Sequence, residues 1–133
     1  MKKIICLFFV AVFLLCGCSI EDENGEKLKD LEFTVVEEGE VPEELTKIIE
    51  DKKTKEFKIT YSDGTYLYIV VGYGEQATGG YSVAVNQLYL SDNAIYLDTN
   101  LIGPSKDEKI SQVITYPSIV LKLEYLEKSV VFQ

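Results

Sequence analysis

From Phe57 onward the chain repeats with a period of two, and this restricts it to sheets. Phe57, Ile59 and Tyr61 alternate with Lys58 and Thr60; much later Ile119, Leu121, Leu123 and Tyr125 alternate again. Successive side chains of a strand point to opposite faces, so such alternation buries one face and wets the other. Between the runs lie turn residues: Asp63-Gly64, four glycines from Gly72 to Gly80, Asp92-Asn93 and the polar stretch 103–109. Asp-Gly supplies the backbone of a tight hairpin. Thr65 to Val71 is apolar on both faces, as a central strand is. After Tyr81, Val83 and Val85 the apolar phase slips to Leu88 and Leu90, which predicts a bulge near Asn86-Gln87. Segments 95–102, 110–116 and 130–132 complete the set. The expected fold is mainly β (α+β): an antiparallel sandwich or open barrel of about seven to eight strands.

One short helix is expected at residues 43–53. Pro42 stands at its start, Glu43 and Glu44 occupy its partially positive end, and Lys52, Lys53 and Lys55 its other end. Leu45, Ile48 and Ile49 form a narrow apolar stripe that covers one face of a sheet. Leu31 to Val36 has the character of a first strand. Residues 19–56 hold 14 of the 22 acidic side chains. The run Glu37, Glu38, Glu40, Glu43 and Glu44 lacks the spacing and turn glycine of a calcium loop, and reads as a solvated helix start.

The N-terminus carries an address. Lys2 and Lys3 precede an apolar run from Ile4 to Leu15, about the length of a secretory leader and short of the roughly 20 residues of a spanning helix. Leu15, Cys16 and Gly17 then resemble the three positions before the modified cysteine of a bacterial lipobox, with Cys16 where Ala or Ser is usual. The expectation is a signal peptide at 1–17, a lipidated Cys18, a flexible acidic tether at 18–30 and one domain at 31–133. Two or more acyl chains on Cys18 anchor the chain stably to the extracytoplasmic face of the cell membrane. Cys6, Cys16 and Cys18 are the three cysteines, so the domain has none with which to form a disulfide or a thiolate metal site.

Composition removes several function classes. The 133 residues include 22 acids and 13 basic residues, every one of them lysine, for a net charge of −9. With no histidine there is no imidazole base, no Ser-His pair and no histidine ligand. The acidic balance argues against nucleic acid. A carboxylate pair such as Asp63 and Asp98 is the remaining catalytic option, and nothing in the spacing joins them. The expectation is a non-enzyme without cofactor or metal.

Residues 72–83 are the unusual passage. Glycines at 72, 74, 79 and 80 suit a hairpin needing left-handed backbone, and no helix follows to offer its N-terminus to a phosphate. The order of VPEEL, DGTYLYIVVGYGEQATGGYSVAV, LIGPSKDEK and QVITYPSIVLKLEY resembles the PrcB C-terminal domain family. Its pattern is met by Gly74, Thr78, Gly79, Gly80, Tyr81, Ser82, Val83, Pro104, Thr115, Tyr116 and Pro117. Ala77 stands where many members have proline. The resemblance implies an exported, commonly lipid-anchored protein without known catalysis, in a family named for a lipoprotein subunit of a bacterial surface protease complex. Thr78 to Tyr81 is also similar to the Thr-Thr-Gly-Tyr loop of chagasin-type inhibitors, β-sandwich proteins that plug papain-like proteases.

Thr78, Gly79, Gly80, Tyr81, Tyr116 and Pro117 are therefore the candidate partner-binding residues. Glycines let a loop enter a cleft and Tyr81 offers a rigid anchor, although Tyr81 also begins an alternating strand and suits a core equally well. Tyr116-Pro117 is expected to form a strand corner with a cis bond. The leading expectation is a membrane-anchored module binding an exported protease or other surface protein, as accessory, stabilising or inhibitory subunit. The alternative is an envelope ligand-binding or sensing lipoprotein, which needs a concave apolar pocket.

Overall fold

A computed structural model describes residues 26–133. The leader, the Cys18 site and tether residues 18–25 lie outside the described residues. Eight strands follow in order: β1 Lys27–Asp30, β2 Thr34–Val35, β3 Glu56–Ser62, β4 Tyr66–Tyr73, β5 Ser82–Ser91, β6 Ile95–Ile102, β7 Ser118–Glu124 and β8 Val130–Phe132. A 3-10 turn at Glu38–Glu40 and one helix, α1 Glu43–Lys52, separate β2 from β3. The strands form two four-stranded sheets, β1-β5-β6-β8 and β2-β7-β4-β3, in an α+β sandwich without barrel closure.

The two apolar faces of β4 define the layers. Leu67, Ile69 and Val71 pack between the sheets with Leu88, Ile95, Leu97, Leu121 and Leu123. Tyr68 and Val70 face the other way, with Val120, onto Leu45 of α1. Leu45 is fully buried, worth about 2–3 kcal/mol of hydrophobic stabilisation. Tyr61 of β3 donates its hydroxyl to Glu44 of α1 at 2.9 Å, which raises the tyrosine pKa, and lies 6.1 Å from the Tyr68 ring. On the far face of the other sheet Tyr89 and Tyr96 stack at 5.2 Å with planes 15° apart.

The β3–β4 turn forms as its Asp-Gly sequence dictates. Gly64 has φ 92°, and Asp63 Oδ1 accepts N–H groups of Thr65 at 2.9 Å and Tyr66 at 2.8 Å. Those bonds, to Tyr66 and then Thr65, hold the Asp63 carboxyl below its ordinary pKa. The slip in β5 is a register shift between Val85 and Gln87, where the alternation changes phase.

Five expectations are corrected. Residues 27–30, assigned to the tether, form β1 along the edge of β5. All four are exposed, so main-chain bonds hold the strand and hydropathy cannot reveal it. The first strand shrinks to Thr34–Val35, because Leu31 turns into the inter-sheet core. Segment 110–116 is not a strand: a single bridge joins Thr115 to Gln76, while Val113 is 62% and Ile114 51% exposed. The sandwich is not wholly antiparallel, since β8 pairs parallel with β6 after crossing from the other sheet. Every described peptide bond is trans, Tyr116-Pro117 included.

Candidate functional site

The glycine loop 74–81 and the crossing segment 103–117 meet at one end of the sandwich. Gly72, at the end of β4, pairs with Phe57 of β3, and the Phe57 ring occupies the space of the missing side chain. A Cβ there would lie 2.2 Å from the ring. Gly74 (φ 79°) and Gly80 (φ 88°) adopt the left-handed backbone expected of the loop; Gly72 and Gly79 do not.

Main-chain bonds then clamp the two segments. Tyr73 N–H donates to Pro117 O at 2.9 Å, Gln76 and Thr115 exchange bonds of 2.8 and 3.0 Å, and Gly79 N–H donates to Ser111 O at 2.8 Å. Thr115 Oγ1 donates to Thr78 O at 2.7 Å. Across the sheets, Tyr73 Oη and Thr99 Oγ1 share a hydrogen bond of 2.7 Å.

This arrangement divides the candidate residues. Gly79 is buried, Gly80 exposed, and Thr78 and Tyr81 half-buried, the Tyr81 ring lying against Gly103. Tyr81 is thus neither core nor free anchor. Tyr116 and Pro117 line a groove of about 520 Å³ between α1 and β7, whose walls include none of Thr78–Tyr81. Within it Lys53 Nζ sits 4.6 Å over the Tyr116 ring and 2.8 Å from Glu50. Glu50 raises the lysine pKa, against a smaller lowering by desolvation. Sequence reasoning missed this groove, which α1, β2 and β7 build together from distant segments. It also missed the exposed pair Val113-Ile114, whose apolar character reads as a strand.

Asp63 lies in the β3–β4 turn of one sheet and Asp98 on β6 of the other, where Asn86 bonds it at 3.3 Å. Among the described residues no cluster of three or more acidic, cysteine or histidine side chains has metal-site geometry, and no helix is long and apolar enough to cross a membrane.

The fold and its loop end define a two-sheet β-sandwich with one covering helix, whose distinctive surface is clamped main chain and tyrosine. The family model described as PrcB C-terminal matches residues 67–124, and this is the family the sequence resembles. The matched stretch runs from β4 to the last residue of β7 and contains both clamped segments. That family is not one known for catalysis. No curated protein and no solved structure matches the chain.

Proposed function

We propose that this chain is a non-catalytic protein-binding module, lipid-anchored through Cys18 on the extracytoplasmic face of the membrane, that serves an exported protease as accessory, stabilising or inhibitory subunit. The observation that carries the reading is the PrcB C-terminal match over 67–124, because it covers the whole clamped loop end. Two features of that end support it. The 74–81 loop is pinned by the crossing segment, so little conformational entropy is lost when a partner binds it. Val113 and Ile114 stand exposed beside it, an apolar tip of the kind partners cover. The lipobox-like Leu15 to Cys18 supports the anchor.

The test is crosslinked capture from native membranes with the intact protein and two variants. One replaces Gly79, Gly80 and Tyr81 by Ala; the other, Val113→Ser with Ile114→Ser, changes exposed side chains and spares the fold. Loss of an exported protease in both supports the module reading. Undiminished capture by the serine variant removes the loop end as interface, and capture of no surface enzyme by the intact protein refutes the protease assignment. Mass spectrometry of the mature N-terminus tests the anchor, which an unmodified Cys18 would exclude. The second reading, a ligand-binding lipoprotein, is favoured by the groove between α1 and β7, a concavity within the size range of ligand sites.

A further inference from the structure

β7 is flanked by β4 along its length but by only two residues of β2 on its other side. Tyr73 N–H bonds Pro117 O and Tyr125 N–H bonds Thr65 O, so odd-numbered residues of β7 turn their main-chain groups toward β4. Even-numbered residues turn the other way: Lys122 faces Thr34, and Val120 O accepts Val36 N–H at 2.9 Å. Ser118 is next in that series. Opposite it the chain has turned away into the 3-10 turn at Glu38–Glu40, so the Ser118 N–H and C=O face an edge with no strand beside it among the described residues.

That edge opens into the groove. Val36, Val41, Ile49 and Val120 give it apolar walls. Glu37, Glu38 and Glu50 border it, against a single lysine in the lining. Lys53 is taken by Glu50, and neither Glu37 nor Glu38 has an ion-pair partner among the described residues. An exposed sheet edge beside an apolar groove with an acidic rim is a geometry that can capture an extended peptide by strand addition.

The geometry points to a strand-addition site: an extended segment of a partner protein, with lysine or arginine alternating with small apolar residues, pairs with the Ser118 edge of β7. Its basic side chains lie against Glu37 and Glu38, and its apolar ones enter the groove. This rests on the protein-binding part of the reading above, not on the partner being a protease, and uses a face apart from the glycine loop.

The test needs no native partner, so failed membrane capture leaves it intact. A dye-labelled hexapeptide of alternating lysine and valine is titrated against the full chain by fluorescence anisotropy. It is compared with a glutamate–valine peptide and with lysine–valine peptides N-methylated at alternate residues in each register. Saturable binding is expected of the lysine peptide, and binding at least about tenfold weaker of the glutamate peptide. N-methylation in one register, and Ser118→Pro, are each expected to weaken binding about tenfold by removing main-chain bonds. Ser118→Pro deletes an N–H that the β4 ladder does not use, and a thermal melt checks that it folds. Glu37→Lys with Glu38→Lys, both exposed, is expected to reverse the charge preference. No saturable binding up to millimolar peptide overturns the inference, as does indifference to N-methylation and Ser118→Pro, or equal binding of both charge types. A dimer in sedimentation that Ser118→Pro abolishes would give the edge to a second copy and equally overturn it.

Discussion

Replacing Gly72 by alanine isolates the reason for one glycine in the loop passage. Gly72 has no left-handed φ, so an alanine there meets no backbone penalty. Its Cβ would instead fall 2.2, 2.6 and 2.8 Å from three atoms of the Phe57 ring, well inside van der Waals contact. Overpacking of a formed interior costs about 1–3 kcal/mol, and so severe an overlap belongs near the top of that range. The smaller entropy loss of alanine in a strand returns about 0.5–1 kcal/mol. A net destabilisation of about 1–2.5 kcal/mol follows, or a melting temperature lower by about 4–10 °C for a domain of this size. The assay is urea unfolding followed by circular dichroism, run on G72A, F57A and the double variant. The double variant is expected to be more stable than the summed single losses by at least about 1 kcal/mol, because removing the ring makes room for the new methyl group. Additive losses, or a G72A variant within about 0.5 kcal/mol of the parent, would refute the steric argument.

Leu121→Ala empties a fully buried position between the sheets and is expected to cost about 2–5 kcal/mol, read as a lower urea midpoint with unchanged slope. Tyr73→Phe removes the hydroxyl bonded to Thr99 across the sheets and is expected to cost about 1 kcal/mol in the same assay. Asp63 titrates below its ordinary value because Tyr66 and Thr65 donate to it. Its contribution is therefore complete above the unfolded-state pKa and lost as pH falls through the lower folded value. Asp63→Asn should flatten the stability profile below about pH 4; parallel profiles for parent and variant would contradict that role.

Much of the fold was legible because side-chain periodicity and turn chemistry carry it. The β3–β4 hairpin, the β5 slip and α1 all follow from local residue order. Where main-chain bonding decides, the sequence is silent: β1 buries no side chain, and nothing in Lys27 to Asp30 announces its pairing with β5. Segment 110–116 fails for the opposite reason, since its apolar residues predict a strand but the loop end leaves Val113 and Ile114 outside. Of the candidate site, the sequence leaves open whether the glycine loop meets the Pro117 corner, and only the loop's need for left-handed glycine was legible. That Tyr116 and Pro117 belong to a groove under α1 was not, because its walls are assembled from segments more than 60 residues apart.

The chain has nine tyrosines and no tryptophan, so its near-ultraviolet spectrum is a tyrosine spectrum. The stacked Tyr89–Tyr96 pair belongs to one sheet and the tilted Tyr61–Tyr68 pair to the other. Each half of the sandwich therefore carries its own native chromophore pair. Replacing one pair by phenylalanine and subtracting the variant's spectrum from the parent's isolates that pair's signal from those of the other tyrosines. Whether both halves melt in one cooperative transition, or one outlasts the other, can be followed in this protein without adding a label.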